Sequence, residues 1–482
     1  SKNLIMEFGN LQMYIDGDMK SSVDNHTKDI YSPLNGKKIA SMAWGNQKDS
    51  LLALESASKG FEVWSKLALS KRKEWMSKFR EKILENEVLL RKAISYEMGK
   101  PYSATAEDIE SITNSLKYYA DVIDDFVKPK KIAVKDKTHN HKLISKPIGV
   151  VVAYLAWNFP LLNAGFKIGP ALASGCSLIL KPSELSPVSL YIIGNLLKQI
   201  NFPKGVINII CGDPTEVAQT LSRSTIPNLI TMIGSTETAK KVISDSSTSI
   251  KKYSMELGGN APFIIFDDAD IDAAINIGAA IKFGNCGQIC VAANRFFVHE
   301  KVYDKFLNGL IDRAKNLKIG YSKDLDFEIG PLISKKSRDR INNLIKNTID
   351  SGGNLEYGGG TPEMSGNWFE PTIITGINES MSIFHEEIFG PVASIIKFKN
   401  DDEVLNQANK TQYGLASYLF TRDTKRIDKF VDELDFGEIH VNGIRYDIYL
   451  PHGGIKQSGV GHDCSELALE DYLIKKRISI AK

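Results

Sequence analysis

The spacing of apolar residues divides the chain into a helical first part and later parts built from short apolar runs. Between residues 50 and 125, apolar side chains recur three or four positions apart, which predicts amphipathic helices. From Pro147 onward the pattern changes to continuous apolar runs, separated by stretches long enough for a helix. This alternation is typical of parallel sheets covered by helices on both faces, so the sequence predicts an α/β fold.

The apolar runs fall into two successive groups. The first group covers residues 149–156, 177–180, 206–211 and 229–233, and the second covers residues 262–266, 296–298, 392–398, 417–420 and 438–441. A single hydrophobic core stops growing at roughly 250–300 residues, whereas this chain has 482. We therefore expect two sheets in two domains. The glycine-rich pieces 351–353 and 358–360 are expected to be turns.

Residues 130–146 differ from both groups because apolar and polar side chains alternate there. Ile132 and Val134 are followed by His141, Leu143 and Ile144. The alternation predicts exposed strands that belong to neither core. Such strands would form an arm suited to pairing between subunits.

Composition argues against several classes of protein. The 60 basic and 58 acidic residues are mixed along the chain and give a net charge of +2, so we expect neither a nucleic acid nor a membrane partner. No window has the roughly 18 apolar residues of a membrane span, and the N-terminus lacks a secretory pattern. Five cysteines in so long a chain do not resemble a disulfide framework. The expected location is the cytoplasm, with reduced thiols.

Two segments after predicted strands are suited to a nucleotide. Lys181, Ser183 and Glu184 follow the run 177–180 and offer an ammonium and a carboxylate to ribose hydroxyls. Gly234 and Ser235 follow the run 229–233 and open a helix, whose N-terminal N–H groups bind phosphate. Either segment alone is more often an ordinary turn or helix cap, and the glycine-rich G-x-G-x-x-G loop is absent.

Three further residues point to chemistry at a carbonyl carbon. Cys290 follows a Gly-Gln step and is a candidate nucleophile. Glu256 precedes Gly258 and Gly259, which permit close backbone approach to a candidate general base. Asn158 lies between a strand and a helix, where its amide is suited to an oxyanion. Taken singly, such residues are more often a buried structural cysteine, an ordinary turn and a helix cap.

Taken together and in this order, the motifs resemble the aldehyde dehydrogenase superfamily from about Tyr14 to Ile480, specifically its non-acylating NAD(P)-dependent members. The matching positions are Asn158, 181–184, Gly234 with Ser235, 256–259, Gly287 and Gln288 with Cys290, 386–391, and Pro451 with Gly453 and Gly454. The resemblance implies a Rossmann-like cofactor domain (1–129 and 147–255), an α/β catalytic domain (256–441) and a small β oligomerisation arm with the C-terminal segment (130–146 and 442–482). It also implies a homodimer or homotetramer.

The same resemblance implies a role for each catalytic residue. Cys290 would attack the aldehyde to give a thiohemiacetal, whose oxyanion Asn158 and the Cys290 N–H would stabilise. After hydride transfer, Glu256 would activate the water that hydrolyses the thioester. Lys167 would lie outside direct contact with the substrate and would support the side chains of Asn158 and Glu256.

The resemblance further implies the cofactor contacts. Glu387 would hold the nicotinamide ribose and Phe389 would lie against the ring, with Trp157 and Leu257 completing that part of the site. The Glu184 carboxylate would repel a 2′-phosphate, so we expect NAD to be preferred, although family members accept NADP as well. No metal site is predicted.

The substrate is less defined. Residues 470–473 resemble succinate-semialdehyde dehydrogenases, yet Phe166 and Gly284 stand where those enzymes have arginines that hold the substrate carboxylate. Arg445 and His452 fall in the loop that lines the substrate entrance in the family, where the position of His452 is often aromatic. They would recognise a short polar aldehyde such as lactaldehyde, glyceraldehyde or a semialdehyde, or else simply face solvent.

Two departures and three rival functions remain. Ala239 replaces a common glycine, and Cys286 is an additional thiol that suggests a regulatory disulfide with Cys290. A CoA-acylating dehydrogenase would lack Glu256, and a catalytically silent scaffold would have no reason to keep the catalytic residues together. A thiol hydrolase would need a histidine paired with the cysteine, and no motif implicates any of the eight histidines.

Overall fold

The fold was analysed in a computed structural model that describes residues 7–482; the first six residues of the predicted cofactor domain lie outside the described range. Helices alternate with strands through most of the chain. The α-helices are Gln47–Lys66, Leu69–Glu85, Glu87–Met98, Ala106–Phe126, Pro160–Ser174, Val188–Gln199, Gln219–Arg223, Thr236–Asp245, Ile271–Phe283, Tyr303–Lys315, Lys335–Asp350, Ser382–His385, Asp401–Asn409, Thr424–Glu433 and Leu467–Tyr472. No helix among residues 7–482 is long and apolar enough to cross a membrane.

The first sheet has eight strands, and its five central strands run parallel. In spatial order the strands are Gly459–Val460, Lys252–Glu256, Pro227–Ile233, Val150–Tyr154, Ser177–Lys181, Ile207–Ile209, Met13–Ile15 and Asp18–Lys20. Helices cover the sheet, and most residues of its central strands are buried. This burial explains why they were visible as continuous apolar runs.

The direction of winding reverses in the middle of this sheet. From Val150–Tyr154 the chain moves outward through Ser177–Lys181 to Ile207–Ile209, then returns to Pro227–Ile233 on the opposite side. Ligands of open α/β sheets bind at the carboxyl ends of the strands where the order reverses. Trp157 and Asn158 follow strand Val150–Tyr154, and Gly234 and Ser235 follow the neighbouring strand Pro227–Ile233.

The second sheet has seven strands, six of them parallel. In spatial order the strands are Asn354–Tyr357, Thr372–Thr375, Val392–Phe398, Ala293–His299, Ala261–Ile265, Ala416–Phe420 and Glu438–Val441. The chain crosses from the first sheet to the second through Gly258 and Gly259, directly after Glu256. The crossing puts this carboxylate at the boundary between the two cores.

The arm is a third, separate sheet of three strands. His139–Pro147 pairs antiparallel with Leu473–Ala481 along its whole length, and Lys130–Lys131 pairs with its middle, at Lys142 and Leu143. Most side chains of both long strands are exposed or half-buried. Residues 139–147 thus form one sheet with the C-terminal strand, and the role of this sheet as an oligomerisation arm stays a prediction.

The structure differs from the predicted boundaries at both ends of the chain. Thr27–Tyr31, Lys38–Ala43 and Asn10–Leu11 form a small sheet that was not predicted; Thr27–Tyr31 is mostly exposed and polar, whereas Lys38–Ala43 is mostly buried. Part of the segment assigned to the arm belongs instead to the first domain. Gly459–Val460 joins the first sheet, and Leu467–Tyr472 packs into the first core through Leu469 and Tyr472.

Candidate active site

A cavity of about 710 Å³ lies where the two large sheets meet. Its walls come from loops that follow strands of both sheets and from the helices Ala106–Phe126 and Pro160–Ser174. The predicted site residues that line it are Trp157, Asn158, Phe166, Gly234, Ser235, Glu256, Leu257, Cys290, Glu387, Phe389, Arg445 and His452. Residues up to 295 positions apart in sequence, from Trp157 to His452, therefore meet in one cavity.

The loop that carries Cys290 is held tightly from both sides. Helix Ile271–Phe283 ends at Gly284, and a turn follows in which Asn285 and Cys286 have positive φ angles. Gly287 has φ of +73°, and a Cβ there would lie 2.0 Å from the Gly390 carbonyl oxygen. The Gln288 side chain donates to the Asn285 carbonyl and accepts from the Ile333 N–H at 3.0 Å. Cys290 is thus presented from a loop with little freedom to move.

Gly259 is packed directly against the backbone of Cys290. A Cβ on Gly259 would lie 2.5 Å from the Cys290 carbonyl oxygen. Cys290 is half-buried, whereas the other four cysteines are buried. Of the two cysteines that line the cavity, Cys290 and Cys464, the more accessible one is therefore the predicted nucleophile.

Glu256 and His452 approach Cys290 from different parts of the chain. One ligating atom from each of these three side chains lies within 4.8 Å of the other two. His452 Nε2 lies 3.6 Å from Glu256 Oε1, and this oxygen has no hydrogen-bond partner among the described residues. Both side chains are at least nine-tenths buried. The unpartnered carboxylate oxygen is free to accept a proton from water.

Glu438 holds the other face of the His452 ring. Its Oε2 lies 2.5 Å from His452 Nδ1, and its Oε1 accepts a 2.7 Å hydrogen bond from the Tyr446 hydroxyl. Burial alone would raise the pKa of Glu438, but the facing histidine and these hydrogen bonds lower it to about 2. Burial opposes a charge on His452, yet Glu438, Cys290 and Glu256 together raise its pKa well above the ordinary value. Both directions favour an imidazolium paired with a carboxylate.

Opposing influences act on the Cys290 thiol. Burial raises its pKa, and the neighbouring Glu256 carboxylate raises it further. Hydrogen bonding and charge from His452 work in the opposite direction. A thiolate at this position therefore depends on positive charge nearby.

Asn158 and Lys167 lie on the helix side of the cavity. The Asn158 amide donates to the Gln288 carbonyl at 3.1 Å and accepts from Asn163 at 3.2 Å. The buried Lys167 ammonium donates to Asp463 Oδ1 at 2.7 Å. Lys167 was expected to contact Asn158 or Glu256. Among the described residues, its ammonium is instead paired with Asp463, because a buried ammonium needs a counter-charge.

The predicted nicotinamide side of the cofactor site faces the same cavity. Ser235 caps helix Thr236–Asp245, and its hydroxyl accepts from the Thr238 N–H at 3.2 Å. Across the cavity, Glu387 Oε2 accepts from the Gly259 N–H at 2.6 Å, and burial raises the pKa of Glu387 to about 7. Phe389 lies edge-on to Trp157 with ring centroids 5.5 Å apart.

The predicted adenosine side lies beyond the walls of this cavity. Lys181, Ser183 and Glu184 follow the carboxyl end of strand Ser177–Lys181, next to the winding reversal. Lys181 Nζ lies 3.8 Å from Glu184 Oε2, and the Ser183 hydroxyl accepts from the Leu185 N–H at 3.2 Å. The ammonium and the carboxylate are thus held side by side.

The mouth of the cavity carries charges of both signs. Arg445 is exposed, and its guanidinium donates to Asp447 at 3.1 Å and to the Tyr449 hydroxyl at 2.8 Å. Glu107 and Glu110 also line the cavity. Deeper in the cavity, the Phe166 ring lies 6.3 Å from the His452 ring. The guanidinium is therefore already paired, in a mouth with three carboxylates.

Comparison with known proteins identifies the family. The aldehyde dehydrogenase family profile matches residues 20–478. The chain belongs to the aldehyde dehydrogenase family. It is accordingly an oxidoreductase, and the resemblance inferred from the motifs is confirmed. An NADP-dependent succinate-semialdehyde dehydrogenase of Escherichia coli is 34% identical over 476 residues, which are 97% of this chain and 97% of that protein.

Solved structures confirm the α/β fold of this family member. The crystal structure of a succinate-semialdehyde dehydrogenase from Burkholderia pseudomallei superposes with a TM-score of 0.96 at 32% identity, covering 98% of each chain. A betaine aldehyde dehydrogenase from Staphylococcus aureus in complex with NAD+ superposes with a TM-score of 0.93 at 34% identity, covering 97% of this chain and 94% of that chain.

Nothing in the sequence of this aldehyde dehydrogenase predicts that His452 and Glu438 are in contact. His452 was assigned to the substrate entrance, and no histidine was expected to pair with the cysteine. The structure corrects that expectation, since His452 is buried beside Cys290. The only hint in the sequence was a histidine where the family is often aromatic; nothing marked Glu438, at the start of a strand, as its partner.

The additional thiol Cys286 is buried in the second core. Burial raises its pKa, although the nearby Lys282 ammonium opposes the shift. Burial lowers the pKa of Lys282 itself to about 7. A disulfide between Cys286 and Cys290 stays a prediction, and it requires an opening of this packing.

Proposed function

We propose that the protein oxidises an aldehyde to a carboxylate through a thioester on Cys290. The observation that carries the proposal is the meeting of a half-buried thiol, an unpartnered buried carboxylate and a side-chain amide in one cavity. The cavity adjoins the strand ends where the winding of the first sheet reverses. Nucleophile, base and oxyanion donor are the groups that acyl chemistry requires.

The proposed reaction uses each residue once. Cys290 Sγ attacks the carbonyl carbon to give a thiohemiacetal, whose oxyanion accepts from the Asn158 amide and the Cys290 N–H. After oxidation to the thioester, Glu256 takes a proton from water, and the resulting hydroxide attacks the thioester carbonyl. The carboxylate product leaves, and Sγ is released as thiolate. Lys167 acts at a distance by neutralising Asp463 behind the cavity.

The described residues fit NAD(P) as the cofactor. The N-terminus of helix Thr236–Asp245 is open to an anion after Gly234, and Glu387 offers a carboxylate across the cavity. When bound, NAD(P)+ supplies the hydride acceptor that turns the thiohemiacetal into the thioester. We propose a preference for NAD, because the Glu184 carboxylate disfavours a 2′-phosphate. The Escherichia coli relative is NADP-dependent by name, so both cofactors belong in the assay.

We propose a short polar aldehyde as substrate, with lactaldehyde and glyceraldehyde ahead of dicarboxylic semialdehydes. Arg445 is already paired with Asp447, and Glu107 and Glu110 add negative charge to the mouth. The carboxylate of such a semialdehyde would meet repulsion at this mouth and, among the described residues that line it, an arginine that is already paired. Phe166 and His452 enclose the space next to Cys290, which suits a small substituent.

The test is a panel of aldehydes with NAD or NADP, followed by the absorbance of reduced nicotinamide. We expect turnover that Cys290→Ala abolishes and that Cys286→Ser, a matched change of a buried thiol, retains in reducing buffer. Glu256→Gln should form close to one equivalent of reduced cofactor per site and then stall, with the acyl group detectable on Cys290 by mass. Steady turnover in Glu256→Gln would contradict the assignment of the base.

The same panel tests the cofactor and substrate preferences. A higher kcat/KM with NADP would overturn the proposed preference for NAD. An unchanged ranking of substrates in Arg445→Ala would exclude a role of Arg445 in substrate recognition.

A second candidate function is thiol-dependent ester hydrolysis, which the pairing of His452 with Cys290 and Glu438 favours. The arrangement has the nucleophile, histidine and carboxylate of a thiol hydrolase. Two results together would favour this candidate. The protein would release acid from an activated ester without cofactor, and it would reduce no nicotinamide cofactor with any aldehyde of the panel. Thioester transfer to added CoA instead of water would favour the CoA-acylating alternative.

We also propose that the subunits assemble as a homo-oligomer in the cytoplasm. Support for assembly comes from the arm, whose long antiparallel strands project as a separate sheet with exposed side chains. Support for a reducing compartment comes from the five cysteines, none of which forms a disulfide within the described residues. Light scattering of the purified protein would distinguish a monomer, which contradicts the first proposal, from a dimer or tetramer.

A further inference from the structure

We propose that the His452 imidazolium, held by Glu438, is the counter-ion that stabilises the Cys290 thiolate. The inference rests on the proposed role of Cys290 as nucleophile and adds a catalytic residue to it. A ring nitrogen of His452 lies within 4.8 Å of the Cys290 thiol, whereas Glu438 acts through His452 and is a positioning residue.

The backbone around His452 is fixed before any charge is considered. Its N–H donates to the Asp463 carbonyl at 2.8 Å, and the Asp463 N–H donates back at 2.7 Å. The following N–H, of Gly453, donates to Glu438 at 3.3 Å. The ring is therefore held in place by an antiparallel bridge on one side and by the carboxylate on the other.

The hydrogen bonds also fix the roles of the two ring nitrogens. Nδ1 lies 2.5 Å from Glu438 Oε2, so the Nδ1–H group donates a hydrogen bond to the carboxylate and keeps its proton. Nε2 is left to face Cys290 and Glu256, 3.6 Å from Glu256 Oε1. A histidine oriented by a carboxylate and turned toward a thiol is an arrangement that favours the thiolate.

The charges around the thiol make this counter-ion necessary. Burial and Glu256 both disfavour a negative sulfur, and His452 is the group that opposes them. The Lys167 ammonium is already committed to Asp463 at 2.7 Å. The titratable groups that face His452 or its partners are Glu438, Glu256, Cys290, Tyr446, His440, Cys464, Asp463 and Lys167.

The proton balance is simple. The Sγ proton leaves through the cavity to bulk water, and the thiolate remains paired with an imidazolium that keeps both of its protons. His452 forms and breaks no bond to carbon. Glu256 is then left free to serve as the base for thioester hydrolysis, so the two steps use different groups.

The experiment measures the alkylation rate of Cys290 by iodoacetamide against pH, without aldehyde or cofactor and with a chelator present. The other four cysteines are buried, and peptide mass assigns the modified residue. We expect His452→Phe and His452→Gln to raise the apparent pKa by at least one unit, which lowers the rate at neutral pH about tenfold or more. Glu438→Gln should shift the profile in the same direction.

Glu256→Gln is the matched control, because it removes a charge at a similar distance from the thiol. We expect it to leave alkylation as fast as in the wild type or faster. A pH profile unchanged in both His452 variants would overturn the inference, as would slowing in Glu256→Gln equal to that in His452→Phe. The assay needs no turnover, so aldehyde oxidation that depends on Cys290 but alkylation that ignores His452 would refute this inference alone.

Discussion

Replacing Gly259 by alanine tests how closely the nucleophile loop must be held. The added Cβ would lie 2.5 Å from the Cys290 carbonyl oxygen, whereas contacts below 3.0 Å are essentially never observed for real Cβ atoms. The Cys290 backbone must therefore retreat by about 0.5 Å or more, since the obstacle is backbone and not a flexible side chain. A displacement of 1 Å at a reacting group costs roughly a hundredfold in rate. We expect kcat to fall about tenfold to a hundredfold.

The assay is steady-state aldehyde oxidation, with thermal unfolding measured on the same samples. Overpacking costs about 1–3 kcal/mol, so the variant should still be folded at room temperature. Gly284→Ala is the matched control, because its Cβ would meet nothing within 4 Å although it precedes the same loop. We expect it to retain activity within about twofold.

Three results would refute this reasoning. One is a Gly259→Ala variant with wild-type kcat, which would mean that the loop tolerates the shift. Another is an equal loss in Gly284→Ala, which would show that any added methyl group near the loop disturbs it. A rise in KM for the cofactor without a fall in kcat would likewise exclude displacement of the nucleophile and implicate the Gly259 N–H bond to Glu387.

Three further predictions concern charge and assembly. Burial raises the pKa of Glu387 to about 7, so this carboxylate becomes protonated as pH falls; the KM for the cofactor should rise below pH 7 in the wild type and lose this dependence in Glu387→Gln. Lys167→Met leaves Asp463 buried without its 2.7 Å partner and should cost about 3–5 kcal/mol in urea unfolding, while adding Asp463→Leu should recover part of the loss. Ile478→Pro removes an N–H from a paired arm strand and should convert the oligomer to smaller species in light scattering, without lowering the melting temperature of the cores.

The sequence predicted the two sheets because their strands are buried on both faces and therefore apolar without interruption. The strand 392–398 was predicted with the bounds that the structure has, and 438–441 likewise. Strands at edges were missed, such as Asn354–Tyr357, whose side chains are mostly exposed and carry no apolar run. The turns flanking it were predicted, since glycines mark turns independently of burial.

The candidate site was predicted only as far as local motifs reach. Cys290, Glu256 and Asn158 lie in short segments whose order along the chain identifies the family, and the cavity does bring them together. Glu438 and His452 depend on a contact between a strand end and a loop, and no periodicity reports such a contact. A charged residue at the start of a strand is ordinary in sequence. Glu438 becomes informative only in the structure, where its carboxylate is buried against the His452 imidazole, which in turn faces the Cys290 thiol. Burying either charged group without its partner would cost free energy. The residues that adjust the reactivity of a nucleophile are thus harder to predict than the nucleophile itself.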